Sequence, residues 1–226
     1  MNYNQLLDEL HCLADVKYNE FNSTIVNSGV QSMGVRMPSL RKLAKQISLS
    51  DALMFPKHEW LEVDTLVGMV VSAAKLPFEQ KSVLLSDFAD GIENWSVCDC
   101  NTVRVPKAEA DKYFYYFLSL LPSSKVFVCR YGVVNLLGNF LDETHIQTIF
   151  DTLADITTYG NYYTDMGVAW LVATAAAKCR RATLEFLSGR GKTTLNVFTY
   201  NKALQKMRDS FRISDADKQL TYTLKR

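Results

Sequence analysis

Apolar residues recur along this chain with the period of a helix. Leu6, Leu7, Leu10, Leu13 and Ala14 fall at i, i+3, i+4 and i+7 spacing. Leu40, Leu43, Ala44 and Ile47 repeat the pattern after Pro38, a residue suited to a first helical turn. Later segments begin after breakers: Pro56, Pro77, Pro106, Pro122 with Ser123 and Ser124, and Gly160 with Asn161. The pattern predicts helices over Phe78 to Ile92, Lys107 to Leu121, Lys125 to Leu141, Glu143 to Ile156 and Tyr162 to Lys178. No stretch alternates apolar and polar residues beside an Asn-Gly or Asp-Gly turn, so no strand is expected.

Short joints make consecutive helices antiparallel neighbours, and a succession of such pairs stacks into a solenoid whose curvature gives a concave cleft. The expected fold is therefore all-α, a curved solenoid of antiparallel helical pairs over residues 1–226 as a single domain. A compact helical bundle is the rival, because self-similarity along the chain is weak. The stretch Asn22 to Gln31 (NSTIVNSGVQ) is read as the least helical part of the N-terminal region, since Asn, Ser, Thr and Gly favour turns.

Composition narrows the class. At 226 residues, 48% of them hydrophobic, the chain is long enough to bury a substantial core. No apolar run approaches the roughly 20 residues of a membrane helix, and the first fifteen residues show no signal-peptide pattern. Five cysteines at irregular positions do not make a disulfide framework, which points to a reducing, cytoplasmic setting. The net charge is only +1, yet from Ala176 onward 12 Lys and Arg face 4 Asp and Glu. A basic C-terminal third on a neutral protein is the footprint of one charged face suited to nucleic acid, unless carboxylates elsewhere neutralise it.

Several motifs are excluded on their chemistry. Gly191-Lys192-Thr193 resembles the end of a phosphate-binding loop, but Phe186 stands where its first glycine belongs. Cys98 and Cys100 lie two apart and point to different sides of a helix, and His11, His58 and His145 are scattered. Neither a metal site nor a cofactor is expected, and the default for the thiols is burial.

The informative segments are three. Within Glu93-Asn94-Trp95-Ser96-Val97-Cys98-Asp99, Trp95 and Asp99 stand four apart, so ring and carboxylate share a helix face. A half-buried tryptophan beside a surface aspartate is the bland alternative. Arg130 sits in the otherwise apolar run Phe127 to Val134, where an arginine is either paired with a buried acid or aimed into a cleft. Trp170 lies in the run Asp165 to Leu171, within a helix rich in small residues.

Taken in order, five stretches resemble the AlkD-type DNA alkylation-repair glycosylases, whose fold is a stack of HEAT-like repeats. They are Met33 to Leu43 (MGVRMPSLRKL), Asn94 to Asp99 (NWSVCD), Cys129 to Val134 (CRYGVV), Tyr162-Tyr163 through Trp170, and Tyr200 to Ser210 (YNKALQKMRDS). Each is weak alone, while their order and spacing together are specific. The resemblance implies a catalytic cleft in which Asp99 is the carboxylate, Trp95 and Trp170 the tryptophans, and Arg130 the arginine. It also implies that an N-terminal helix grips the duplex, at the place where this sequence is turn-rich.

The implied reaction suits these residue types. An N3- or N7-alkylated purine is cationic and leaves readily, so charge develops on an oxocarbenium-like sugar. A carboxylate at Asp99 would stabilise that cation and orient water. Indole faces at Trp95 and Trp170 attract cations, and Arg130 would hold a phosphate or position the strand. Arg36, Arg41, Lys42, Lys202, Lys206, Arg208 and Arg212 would track the backbone of duplex DNA, with the protein acting as a monomer. Two other readings stay open: a catalytically silent DNA-binding relative, and a helical scaffold for protein partners.

Overall fold

In the computed structural model residues 1–156 and 160–226 are described, and among them fifteen α-helices and two short 3-10 turns account for all regular structure. The single β-type contact among the described residues is an isolated bridge between Gln31 and Trp60. The all-helical expectation holds. None of the described helices is long and apolar enough to cross a membrane. The chain divides into two compact units, Met1–Arg104 and Val105–Arg226.

The first unit contains α1 (Tyr3–Leu13), α2 (Val16–Val26), α3 (Met37–Leu43), α4 (Leu49–Ala52), α5 (Leu61–Ala73), α6 (Phe78–Asp90) and α7 (Trp95–Cys100). α5 is the centre: α3, α4, α6 and α7 all pack against it. Its apolar residues run nearly all round its axis, the signature of a buried helix rather than a surface one, and Leu61, Val63, Leu66, Val70 and Val71 are buried. Leu6, Leu10, Leu40, Leu43 and Ile47, which set the sequence period, join this core. Lys81 of α6 is buried and donates to the carbonyls of Ser72 and Ala74, capping the end of α5 where the helix dipole favours a cation.

The stretch Asn22 to Gln31 is more helical than its turn-favouring composition implies. The first half of the stretch Asn22 to Gln31 is helical, because α2 continues to Val26. Asp15 caps it by accepting from the Tyr18 N–H. The polar residues expected to break it instead bond back along it: Ser23 Oγ donates to the Glu20 carbonyl and Thr24 Oγ1 to that of Phe21. The helix stops at Asn27, which adopts the left-handed conformation with φ 44°.

The second unit contains α8 (Ala110–Leu120), α9 (Val126–Asn139), α10 (Ile146–Asp155), α11 (Tyr162–Lys178), α12 (Arg180–Ser188), α13 (Arg190–Thr194), α14 (Val197–Asp209) and α15 (Asp215–Leu224). α11 packs against both α9 and α14, with α8 against α9 and α15 against α14; α12 and α13 pack on each other and on α10. This layering of helical pairs is that of a helical repeat. α10 buries Ile146, Ile149, Phe150, Leu153 and Ala154 along one stripe, and Phe150 stacks on Phe186 of α12 with centroids 4.3 Å apart. At Gly132, a Cβ would stand 2.8 Å from the Phe117 carbonyl, so the CRYG segment needs glycine to let α8 approach α9.

The expected element over Tyr162 to Lys178 is observed end to end. The one from Glu143 starts later, at Ile146, because Asp142 Oδ1 accepts from the N–H groups of Thr144 and His145 and holds a turn there. Lys107 to Glu109 form a 3-10 turn that leads into α8.

Arg180 and Asp217 tie α12 to α15 through a two-pronged ion pair at 2.8 and 2.6 Å. The Arg180 guanidinium, helped by a hydrogen bond from Ser214, holds the Asp217 carboxyl below the usual carboxylate range. A lowered folded-state pKa adds stability above the unfolded value, near 3.9, and that stability is lost as the pH falls through the folded one. Asp217→Asn is therefore expected to melt below the wild type at pH 7, with the gap closing as the pH drops under about 4. A pH-independent gap in thermal unfolding would show that the charge of Asp217 is not what matters.

Candidate functional site

The segment before α3 is shaped by a buried acid. Glu62, on α5, is buried, and its carboxylate accepts from the Ser32 hydroxyl and from the N–H groups of Met33, Gly34 and Val35 at 2.8–3.2 Å. Backbone donors converging on one anion make a nest. Gly34 has φ 79°, and a Cβ there would lie 2.5 Å from the Asp15 carbonyl. Glycine alone suits both demands, which accounts for the MGVRMP run at this position. The nest delivers the chain to Arg36 and Met37, where α3 starts with Pro38 in its first turn.

α7 carries the first two expected site residues. Asn94 caps it, accepting from the Ser96 N–H at 2.8 Å, while its amide donates to the Val26 carbonyl at the end of α2. That pins the start of α7 to α2 and fixes the direction of Trp95. Trp95 is half-buried against Val26, Leu61 and Val97 and lines a cleft of about 200 Å³. Tyr18 and Asn22 of α2 line the same cleft. Neither was legible as a site residue, because the sequence places α2 nowhere in particular. Asp99 is half-buried one turn further along. The Cys100 thiol is pushed up by desolvation and by the Asp99 carboxylate, with the Arg41 guanidinium acting against them, so these three groups share a patch.

The other two site residues belong to the second unit. Arg130 is buried in α9, and its Nη1 donates to the Tyr163 carbonyl in the first turn of α11 at 2.5 Å. Trp170 on α11 is 38% exposed, enough of its indole to meet a ligand. It lines an open cleft of about 350 Å³ with Thr174, Lys206, Asp209 and Arg212. The Lys206 ammonium is pushed down by desolvation and by the charges of Lys202 and Arg130, with Asp209 opposing. Arg130 and Lys206 therefore feel each other, and a concentration of like charge at a half-exposed indole is a place where an anion is welcome.

The remaining expected contacts differ in freedom. Arg36 is engaged with Asp15 at 2.9 Å and lies over the Tyr18 ring. Arg208 stacks on Tyr222 and donates to Thr221 Oγ1, so it braces α14 against α15. Lys202 bonds Gln205 one turn on. Arg41, Lys42 and Arg212 are exposed.

Among known proteins, neither the curated sequences nor the solved structures yield a match. The model of the family described as DNA alkylation repair enzyme matches residues 6–207, from α1 through nearly all of α14. That span takes in the Glu62 nest, α7, Arg130, Trp170 and Lys206 alike, and the chain belongs to the DNA alkylation repair enzyme family.

Proposed function

We propose that this chain is a DNA glycosylase that removes N3- or N7-alkylated, cationic purines from duplex DNA. The observation that carries the reading is the carboxylate of Asp99 held one helical turn from the half-exposed indole of Trp95, on a helix pinned at its start by Asn94. The chemistry is economical. The bond from C1′ to the purine nitrogen breaks, and its electron pair leaves with the base, neutralising it. Asp99 stabilises the cation left on the sugar and takes a proton from the water that attacks C1′. Trp95 and Trp170 offer π-faces to the cationic base and sugar. Lys206 and Arg212 bind backbone phosphate near Trp170, with Lys202 one turn before Lys206, and Arg130, buried against the Tyr163 carbonyl, adds its positive charge and positions α11; Arg41 and Lys42 meet phosphate on the first unit, while Arg36 and Arg208 contribute mainly by bracing. In this reading residues 1–226 act as one domain and as a monomer.

The direct test is release of free 7-methylguanine and 3-methyladenine from methylated duplex DNA. Release above the spontaneous rate is the expected result. Salt-sensitive DNA binding with no release would overturn it in favour of a silent DNA-binding relative, and no DNA binding would favour a protein scaffold.

A further inference from the structure

The turn between α14 and α15 carries a side chain that the proposed chemistry leaves unused. Phe211 stands there fully exposed, its whole ring in water. Isolated exposed apolar residues are common and need no explanation by themselves. This one differs in what holds it and what surrounds it.

Its base is firm. The Arg212 N–H donates to Ser210 Oγ across the turn, Ile213 is buried, and Ser214 caps α15 and also bonds the Asp217 carboxylate that Arg180 grips. The ring is thus presented on an anchored turn. Its two chain neighbours, Ser210 and Arg212, line the open cleft that holds Trp170 and Lys206. Arg212 is exposed and, among the described residues, makes no ion pair. Phe211 also lies beyond residue 207, where the family match ends.

We propose that Phe211 is a wedge that inserts between stacked base pairs of the bound duplex, unstacking and kinking it beside Trp170. The inference rests on the DNA-binding reading given above. An apolar ring standing in water gains burial only when a partner supplies an apolar slot, and the faces of adjacent base pairs are such a slot. The cations Lys206 and Arg212 line the cleft beside the ring and would take phosphates next to the opened step, so the charge complementarity favours nucleic acid over an apolar protein surface. Opening a step is easiest where stacking is already weak, at a damaged base or a pyrimidine–purine step. A wedge would therefore concentrate the protein where its chemistry is needed.

The test places 2-aminopurine at successive positions of a duplex and follows its fluorescence and the binding affinity. The wild type is expected to raise the fluorescence several-fold at one step. Phe211→Ser should abolish that rise and weaken binding by about tenfold, with the slope against salt unchanged because no charge is lost. Phe211→Leu, still apolar, should keep most of the signal. As the ring touches nothing in the free protein, both variants should melt like the wild type. A Phe211→Ser protein with wild-type fluorescence and affinity would overturn the wedge and leave DNA binding intact. A wild type that binds no DNA at any salt concentration would overturn both.

Discussion

Asp99→Asn is expected to lower base release from methylated duplex DNA by about a hundred- to a thousandfold, with DNA affinity held or slightly raised. Asparagine keeps the shape and the half-buried position of the side chain. It removes the negative charge that would face the sugar cation and the group that would take the proton from water. Taking away a carboxylate cannot weaken attraction to phosphates, so a fall in release without a fall in affinity separates chemistry from binding. Trp95 and the cap at Asn94 stay in place, and α7 should be undisturbed by circular dichroism. Release at the wild-type rate by Asp99→Asn would sink the assignment of the chemistry to Asp99, whatever the fate of the glycosylase reading.

Glu62→Ala is expected to cost about 4 kcal/mol of folding stability and roughly 10 °C in melting temperature. The variant leaves the Ser32 hydroxyl and the buried N–H groups of Met33 and Val35 without their acceptor, and the Gly34 N–H with only Ser32 Oγ at 3.2 Å. Each stranded donor costs on the order of 1–3 kcal/mol, less where water can enter the space left behind. Set against a typical total of about 5–15 kcal/mol, the loss is severe. Glu62→Gln keeps one carbonyl oxygen for the nest and should lose about half as much. Hydrogen exchange should report the opening at residues 33–35 and at the start of α3 before global unfolding. A loss under about 1 kcal/mol in urea unfolding would mean that the nest is not what fixes this loop.

These two residues show how unevenly the chain discloses itself. Asp99 is legible because a tryptophan four positions earlier puts a ring and a carboxylate on one face, and because NWSVCD falls in order among the other matching stretches. Glu62 gives no such sign. In the sequence it is one acid in LEVDTL, and only the fold brings the four donors of residues 32–35 to it across nearly thirty positions. The α2 helix is a middle case. Its Asn, Ser and Thr argue for a turn when taken singly, but back-bonding to earlier carbonyls and the Asp15 cap let them sit in a helix.

The basic C-terminal third is a further example. Counting charges finds Lys202, Lys206, Arg208 and Arg212 together and treats them as equals. The structure separates them. Arg208 is spent on Tyr222 and Thr221, whereas Lys206 and Arg212 line the cleft at Trp170. Phe211 shows no pattern at all in the sequence, since one phenylalanine in a polar turn reads the same whether buried or bare.

By itself the sequence determined the all-helical class, most helix positions and the family motifs, because those depend on neighbours three or four residues away and on short runs in order. The tertiary structure alone decided that Glu62 closes a nest, that Tyr18 and Asn22 join the cleft at Trp95, which cations are engaged, and that Phe211 is bare. Each of these depends on groups far apart along the chain. Local periodicity carries no information about which distant donors, rings or carboxylates the packing of helices will bring into contact.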